Sequence, residues 1–156
     1  MKINGKTYTL AKTTLADIKA LAPMKYVEGW APDDDSDCIE CETETPIDVE
    51  GMLFRPFYRF ETECEYYPVG TSELVKVRLT PVNPGETVIE DIRRWTDRIM
   101  KKYDCTLKEE ERSLSEHRVE FSYPDKNEDR WTIKVYTNAA AGEYDISIDV
   151  RPIVFE

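Results

Sequence analysis

The sequence predicts an α+β domain, an antiparallel sheet with one long and one short helix packed on one side. Three observations point there. Residues 86–103, ETVIEDIRRWTDRIMKKY, gather Val88, Ile89, Ile92, Trp95, Ile99, Met100 and Tyr103 into one stripe at helical spacing. Segments on both sides of that helix alternate apolar and polar residues, the period of a half-buried strand. A shorter amphipathic stretch, LADIKALA, lies between the amino-terminal hairpin and the later strands and needs the same kind of cover.

Taken in order, Lys2 to Leu10 reads as a hairpin turned at Asn4-Gly5, a pair that readily takes the left-handed conformations of a tight turn. The short helix follows. Thr14 with Asp17 resembles a capping box, Leu15, Ile18, Leu21 and Ala22 form the apolar face, and Pro23 ends it. Residues 31–50 then hold nine acidic and no basic residues, so an exposed acidic loop is expected there. From Gly51 to Pro68 alternation sends Phe54, Tyr58, Phe60, Cys64 and Tyr66 to the core, with a bulge or break expected at Pro56. Leu74 to Val82 returns as a strand, with Val75, Val77 and Leu79 on one face.

The long helix is punctuated by Asn83, Pro84 and Gly85, and Thr87 with Glu90 offers a capping box. Acids lie near its start and Arg98, Lys101 and Lys102 near its end, where each sign suits the helix dipole. Cys105 to Arg112 is ambiguous and reads as a short strand. His117 to Tyr123, Trp131 to Val135 and Tyr144 to Val150 are strands of an antiparallel meander. The order strand, helix, meander suggests two degenerate halves, 1–73 and 74–156, within a single domain of 156 residues.

Charge narrows the function. A net charge of −11 argues against binding to nucleic-acid phosphates and suits a partner protein with a basic surface. No apolar run reaches membrane-spanning length, and the amino terminus shows no signal-peptide h-region, so the cytoplasm is the default compartment unless a leader was trimmed away.

Cys38-Ile39-Glu40-Cys41 is the sharpest local motif. With Cys64 and Cys105 it would complete a four-thiolate zinc site, although those two are isolated rather than a second CxxC. A redox role is disfavoured because Asp37, Glu40 and Glu42 surround the pair and raise its thiol pKa. Asp33, Asp35, Asp37 and Glu44 match the spacing of a calcium loop, but position six is Cys38 rather than glycine. His117, the sole histidine, sits at the rim of the core without an evident nucleophile partner. Arg55, Phe57, Arg59 and Tyr67 lie on the opposite parity from the core residues and form the candidate interface, because arginine and aromatics dominate binding hot spots.

The expected function is a non-enzymatic protein-binding domain of inhibitor or immunity type, with no resident cofactor. The alternatives are a zinc or redox protein using Cys38 and Cys41, and an enzyme with carboxylate chemistry around His117.

Overall fold

The computed structural model describes residues 1–7, 15–21, 24–26, 38–43, 45–61, 74–82, 85–124 and 130–150. In chain order these form β1 (Lys2–Ile3), β2 (Lys6–Thr7), α1 (Leu15–Leu21), β3 (Met24–Tyr26), β4 (Cys38–Thr43), β5 (Ile47–Val49) and β6 (Met52–Glu61). They continue with β7 (Leu74–Pro81), α2 (Val88–Lys102), β8 (Thr106–Arg112), β9 (Glu116–Pro124), β10 (Arg130–Asn138) and β11 (Glu143–Asp149). The strands make one antiparallel sheet in the order β2-β1-β5-β6-β7-β11-β10-β9-β8, with β4 also on β6 and β3 on β4. The sheet is dominant, so the α+β description holds coarsely.

Two tight turns shape the first part. Asn4 and Gly5 both have positive φ, 51° and 79°, and close β1 on β2 as the Asn-Gly pair predicts. Glu50 and Gly51 repeat the device with φ of 51° and 89°, and close β5 on β6. That second hairpin corrects the expected acidic loop. Cys38–Thr43 and Ile47–Val49 are strands lying along β6, and the segment 31–37 falls outside the described residues. The cause is the β-branched pattern Ile39, Thr43, Ile47 and Val49, which a strand accommodates while acids such as Asp48 remain on the wetter face.

β6 runs unbroken through Pro56, another correction. Proline cannot donate to a ladder, and Pro56 stands where the neighbour changes from β4 to β5, so no N–H is missed. The irregularity falls instead between Arg59 and Phe60 against β7. It brings Leu74 and Val77 into the core together, where strict alternation puts Val75 and Val77 on one face.

The core lies on the helix side of the sheet. Phe54, Tyr58, Phe60, Val77, Leu79, Phe121, Ile133, Ile146 and Ile148 are buried with Ile92, Trp95 and Ile99 of α2 and with Ile18 of α1. Trp95 is the keystone. Its ring meets Phe54 edge-on at 5.2 Å, and its indole Nε1 donates to the Val49 carbonyl at 2.9 Å. The predicted stripe of α2 is therefore the buried one. Its capping differs from expectation: the Thr87 hydroxyl donates to the Asp91 carboxylate at 3.1 Å, and no side chain caps the first amides. No helix among the described residues is long and apolar enough to cross a membrane.

Candidate functional site

Alternation that fills one face of the sheet leaves a second face to solvent. Among the described residues neither helix lies on it, because Ile18 and the buried side of α2 belong to the core cluster. Register fixes its layout. Phe57 stands beside Arg78, Arg78 beside Ser147, Ser147 beside Lys134, Lys134 beside Glu120, and Glu120 beside Glu109, one row crossing six strands from β6 to β8.

The charges on this outer face are interleaved by strand. Arg55 and Arg59 on β6, with Lys76 and Arg78 on β7, make a basic strip in an otherwise acidic chain. β11 answers with acids: Asp145 receives Arg78 at 3.3 Å, and Asp149 receives Lys76 at 3.7 Å and Lys134 at 3.2 Å. Farther along, the Arg118 guanidinium lies 4.6 Å from the centroid of the Tyr136 ring, and the Tyr136 hydroxyl donates to Glu116 at 3.2 Å. Exposed pairs of this kind contribute about 0–1 kcal/mol each, so they arrange the surface more than they stabilise the fold.

Two shallow hollows share Asp145. One of about 240 Å³ is lined by Phe57, Arg59, Lys76 and Arg78. The other, about 300 Å³, is lined by side chains including Glu109, Glu111, Arg118, Glu120, Lys134 and Tyr136. Neither encloses a small molecule in the way an enzyme pocket does. Of the sequence-predicted interface, Arg55, Phe57 and Arg59 come together here, while Tyr67 lies outside the described residues. The reading missed Lys76, Arg78, Lys134, Tyr136 and Arg118. Their parity opposite to the core was visible, but which strands are neighbours was not.

A second cluster surrounds Glu50, at the tip of the β5–β6 hairpin. Its side chain is only 4% exposed. The Lys2 amide donates to Oε1 at 2.7 Å, the Tyr103 hydroxyl donates to the same oxygen, and the Lys102 ammonium lies 3.2 Å from Oε2. Burial pushes the Glu50 carboxyl up, yet the Lys2 amide, Tyr103 and Lys102 together outweigh it and hold the group below its ordinary range. The cluster ties the hairpin and the amino-terminal strand to the end of α2, a structural task.

His117 meets Glu110 at 3.0 Å, and Glu110 also receives Arg112 at 2.7 Å. The bond from His117, followed by that from Arg112, lowers the Glu110 pKa. Among the described residues, His117 does not line either outer-face hollow, the hollow beside Glu50 or the small cavity in the core.

The cysteines divide. Cys38 and Cys41 lie in β4 across from Glu61 and Tyr58, and Cys64 is outside the described residues. Cys105 packs against the core, its thiol 3.7 Å from the Ile99 carbonyl. Burial and then Asp104 push this thiol up to about 11. Among the described residues no three His, Cys, Asp or Glu side chains converge on a point where an ion would sit. The calcium-loop residues Asp33, Asp35, Asp37 and Glu44 lie outside those residues.

Comparison of the chain with protein-family models, with curated proteins and with solved structures finds no match in any of the three.

Proposed function

We propose that this chain is a non-enzymatic protein-binding domain that docks on another protein through the outer face of its sheet. The observation that carries the reading is the basic, aromatic strip of Arg55, Phe57, Arg59, Lys76 and Arg78 on a face that neither described helix covers. Arginine and aromatic side chains supply most of the binding energy at protein interfaces, and the strip sits beside acids that would select the partner's charge. The overall charge of −11 supports a protein over a nucleic acid as partner, and in an inhibitor or immunity type of role the chain's acidic surface, not this basic strip, would speed encounter with a partner of basic surface. Descent of the fold from two strand–helix–meander halves, 1–73 and 74–156, belongs to the same proposal. With β2 as an extra strand, β1, α1 and then β3 to β6 follow an order like that of β7, α2 and the β8–β11 meander.

The test is capture of partners from the source cell by the wild-type chain and by a folded Arg55→Ala/Phe57→Ala/Arg59→Ala variant. A partner bound by the first and lost by the second is expected. A partner held equally by both overturns the outer face as the docking surface.

A further inference from the structure

We propose that the outer face pairs with the outer face of a second copy of this chain, about a two-fold axis parallel to the strands and running between β11 and β10. The inference rests on the binding role proposed above and names a second copy of this acidic chain as the partner, in place of a protein with a basic surface. Its basis is a charge pattern that is complementary to itself.

Six strands of the face follow in the order β6-β7-β11-β10-β9-β8, and β5 and β4 continue the sheet beyond β6. A two-fold axis at the centre of that order lays β6 of one copy over β8 of the other, β7 over β9, and β11 over β10. Opposite charges meet where β6 lies over β8 and where β7 lies over β9. On β6, Arg55 meets Glu111 of β8, while Phe57 meets Glu109 and Arg59 meets Thr106. On β7, Arg78 meets Glu120 of β9, while Lys76 meets Ser122. On β11, Asp145 meets Tyr136 of β10, Ser147 meets Lys134 and Asp149 meets Thr132.

The match extends to single rows, because this axis preserves height along the strands. In the row that begins at Phe57, Arg78 of one copy faces Glu120 of the other, and Lys134 faces the small, buried Ser147. In the next row Arg55 faces Glu111 and Asp145 faces Tyr136. Neither row sets like charges against each other. The competing axis, perpendicular to the strands, lays β6 on β6 and puts arginine on arginine. Complementarity thus selects one arrangement.

The dimensions suit a weak dimer. Five inter-strand spacings of about 4.8 Å give a width of roughly 24 Å, and three to four outward rows give a similar height. That is about 500–600 Å² per copy, at the low end for specific interfaces, so an association in the micromolar range is expected. Packed sheets lie about 10 Å apart with strands within about 30°, an offset that long arginine and glutamate side chains absorb. The pairs within each copy are exposed and worth little, so exchanging them for pairs between copies costs little. The chain as a whole carries a net charge of −11, which opposes the approach of a second copy through an unmatched surface.

Sedimentation equilibrium of the full chain, from about 1 µM to 1 mM, tests this with two variants. Arg55→Glu/Arg78→Glu makes both long edges of the face acidic, and Glu111→Lys/Glu120→Lys makes both basic. Each variant alone should dimerise at least tenfold more weakly than wild type. An equimolar mixture should recover a heterodimer within about threefold of wild type, since both contact sets are then opposite in sign. Should a double variant unfold, the single pair Arg55→Glu with Glu111→Lys serves the same purpose with a smaller shift. A wild-type chain monomeric throughout, a dimer indifferent to both variants, or a mixture without recovery overturns the self-pairing. A monomeric chain that still loses its captured partner with the outer-face variant leaves the binding role standing, whereas a partner retained by that variant removes the role as well.

Discussion

The two faces of the sheet are built from the same strands and obey different rules. On the helix side, Phe54, Tyr58 and Phe60 of β6 are almost entirely buried, and a change of one methylene is felt because interiors are close-packed. On the other side, Arg55 of the same strand is exposed and Phe57 and Arg59 are half-buried. The inner face carries stability and is specified by size and apolarity. The outer face carries charge order, and its exposed pairs are expected to add little stability.

The sharpest way to break the comparison is at Trp95. Trp95→Ala removes a fully buried ring and leaves the Val49 carbonyl without its donor, and should cost about 3–5 kcal/mol in urea unfolding. A loss under 1 kcal/mol would mean that α2 does not hold the inner face.

Next comes Glu50, which joins hairpin, amino terminus and helix. Glu50→Gln keeps the shape and loses the charge, and should cost about 1–3 kcal/mol at neutral pH. The sign with pH follows from the lowered pKa. The carboxylate stabilises the fold fully above the ordinary carboxyl pKa, and that contribution disappears as pH falls through the lower folded value. Stability measured from pH 7 to pH 3 should therefore fall less steeply in Glu50→Gln than in wild type. Parallel curves would show that Glu50 is not held below its ordinary range.

Thr137 tests a polar position on the inner face. It is fully buried, and its hydroxyl receives Arg93 Nε at 3.1 Å. Thr137→Val preserves the shape and should cost about 0.5–1.5 kcal/mol in the same unfolding measurement. The smallest effect belongs to the outer face. Lys134→Ala breaks the 3.2 Å pair with Asp149 and should change stability by no more than about 0.5 kcal/mol. A cost above 1.5 kcal/mol would erase the distinction between the faces.

Legibility in the sequence followed the same division. The stripe of α2, the Asn4-Gly5 turn and the strands of the meander were readable because their periods are local. The β5–β6 hairpin was not, because Glu50 adopts a left-handed conformation that its residue type does not announce, stabilised by partners 48 to 53 residues away. The acid count between 31 and 50 also outweighed the β-branched residues that make β4 and β5. The candidate interface was legible strand by strand in Arg55, Phe57 and Arg59. Its other half was hidden, since Lys76, Arg78 and Asp145 join it through sheet order, which no local pattern encodes.

The separation of roles is tested most directly by one protein, Arg55→Glu/Arg78→Glu, measured twice. Urea unfolding at a concentration too dilute for association should give a free energy within about 0.5 kcal/mol of wild type, while sedimentation at high concentration shows self-association weakened at least tenfold. Unfolding weakened by more than about 2 kcal/mol, or association left intact, would contradict the assignment of stability to one face and binding to the other.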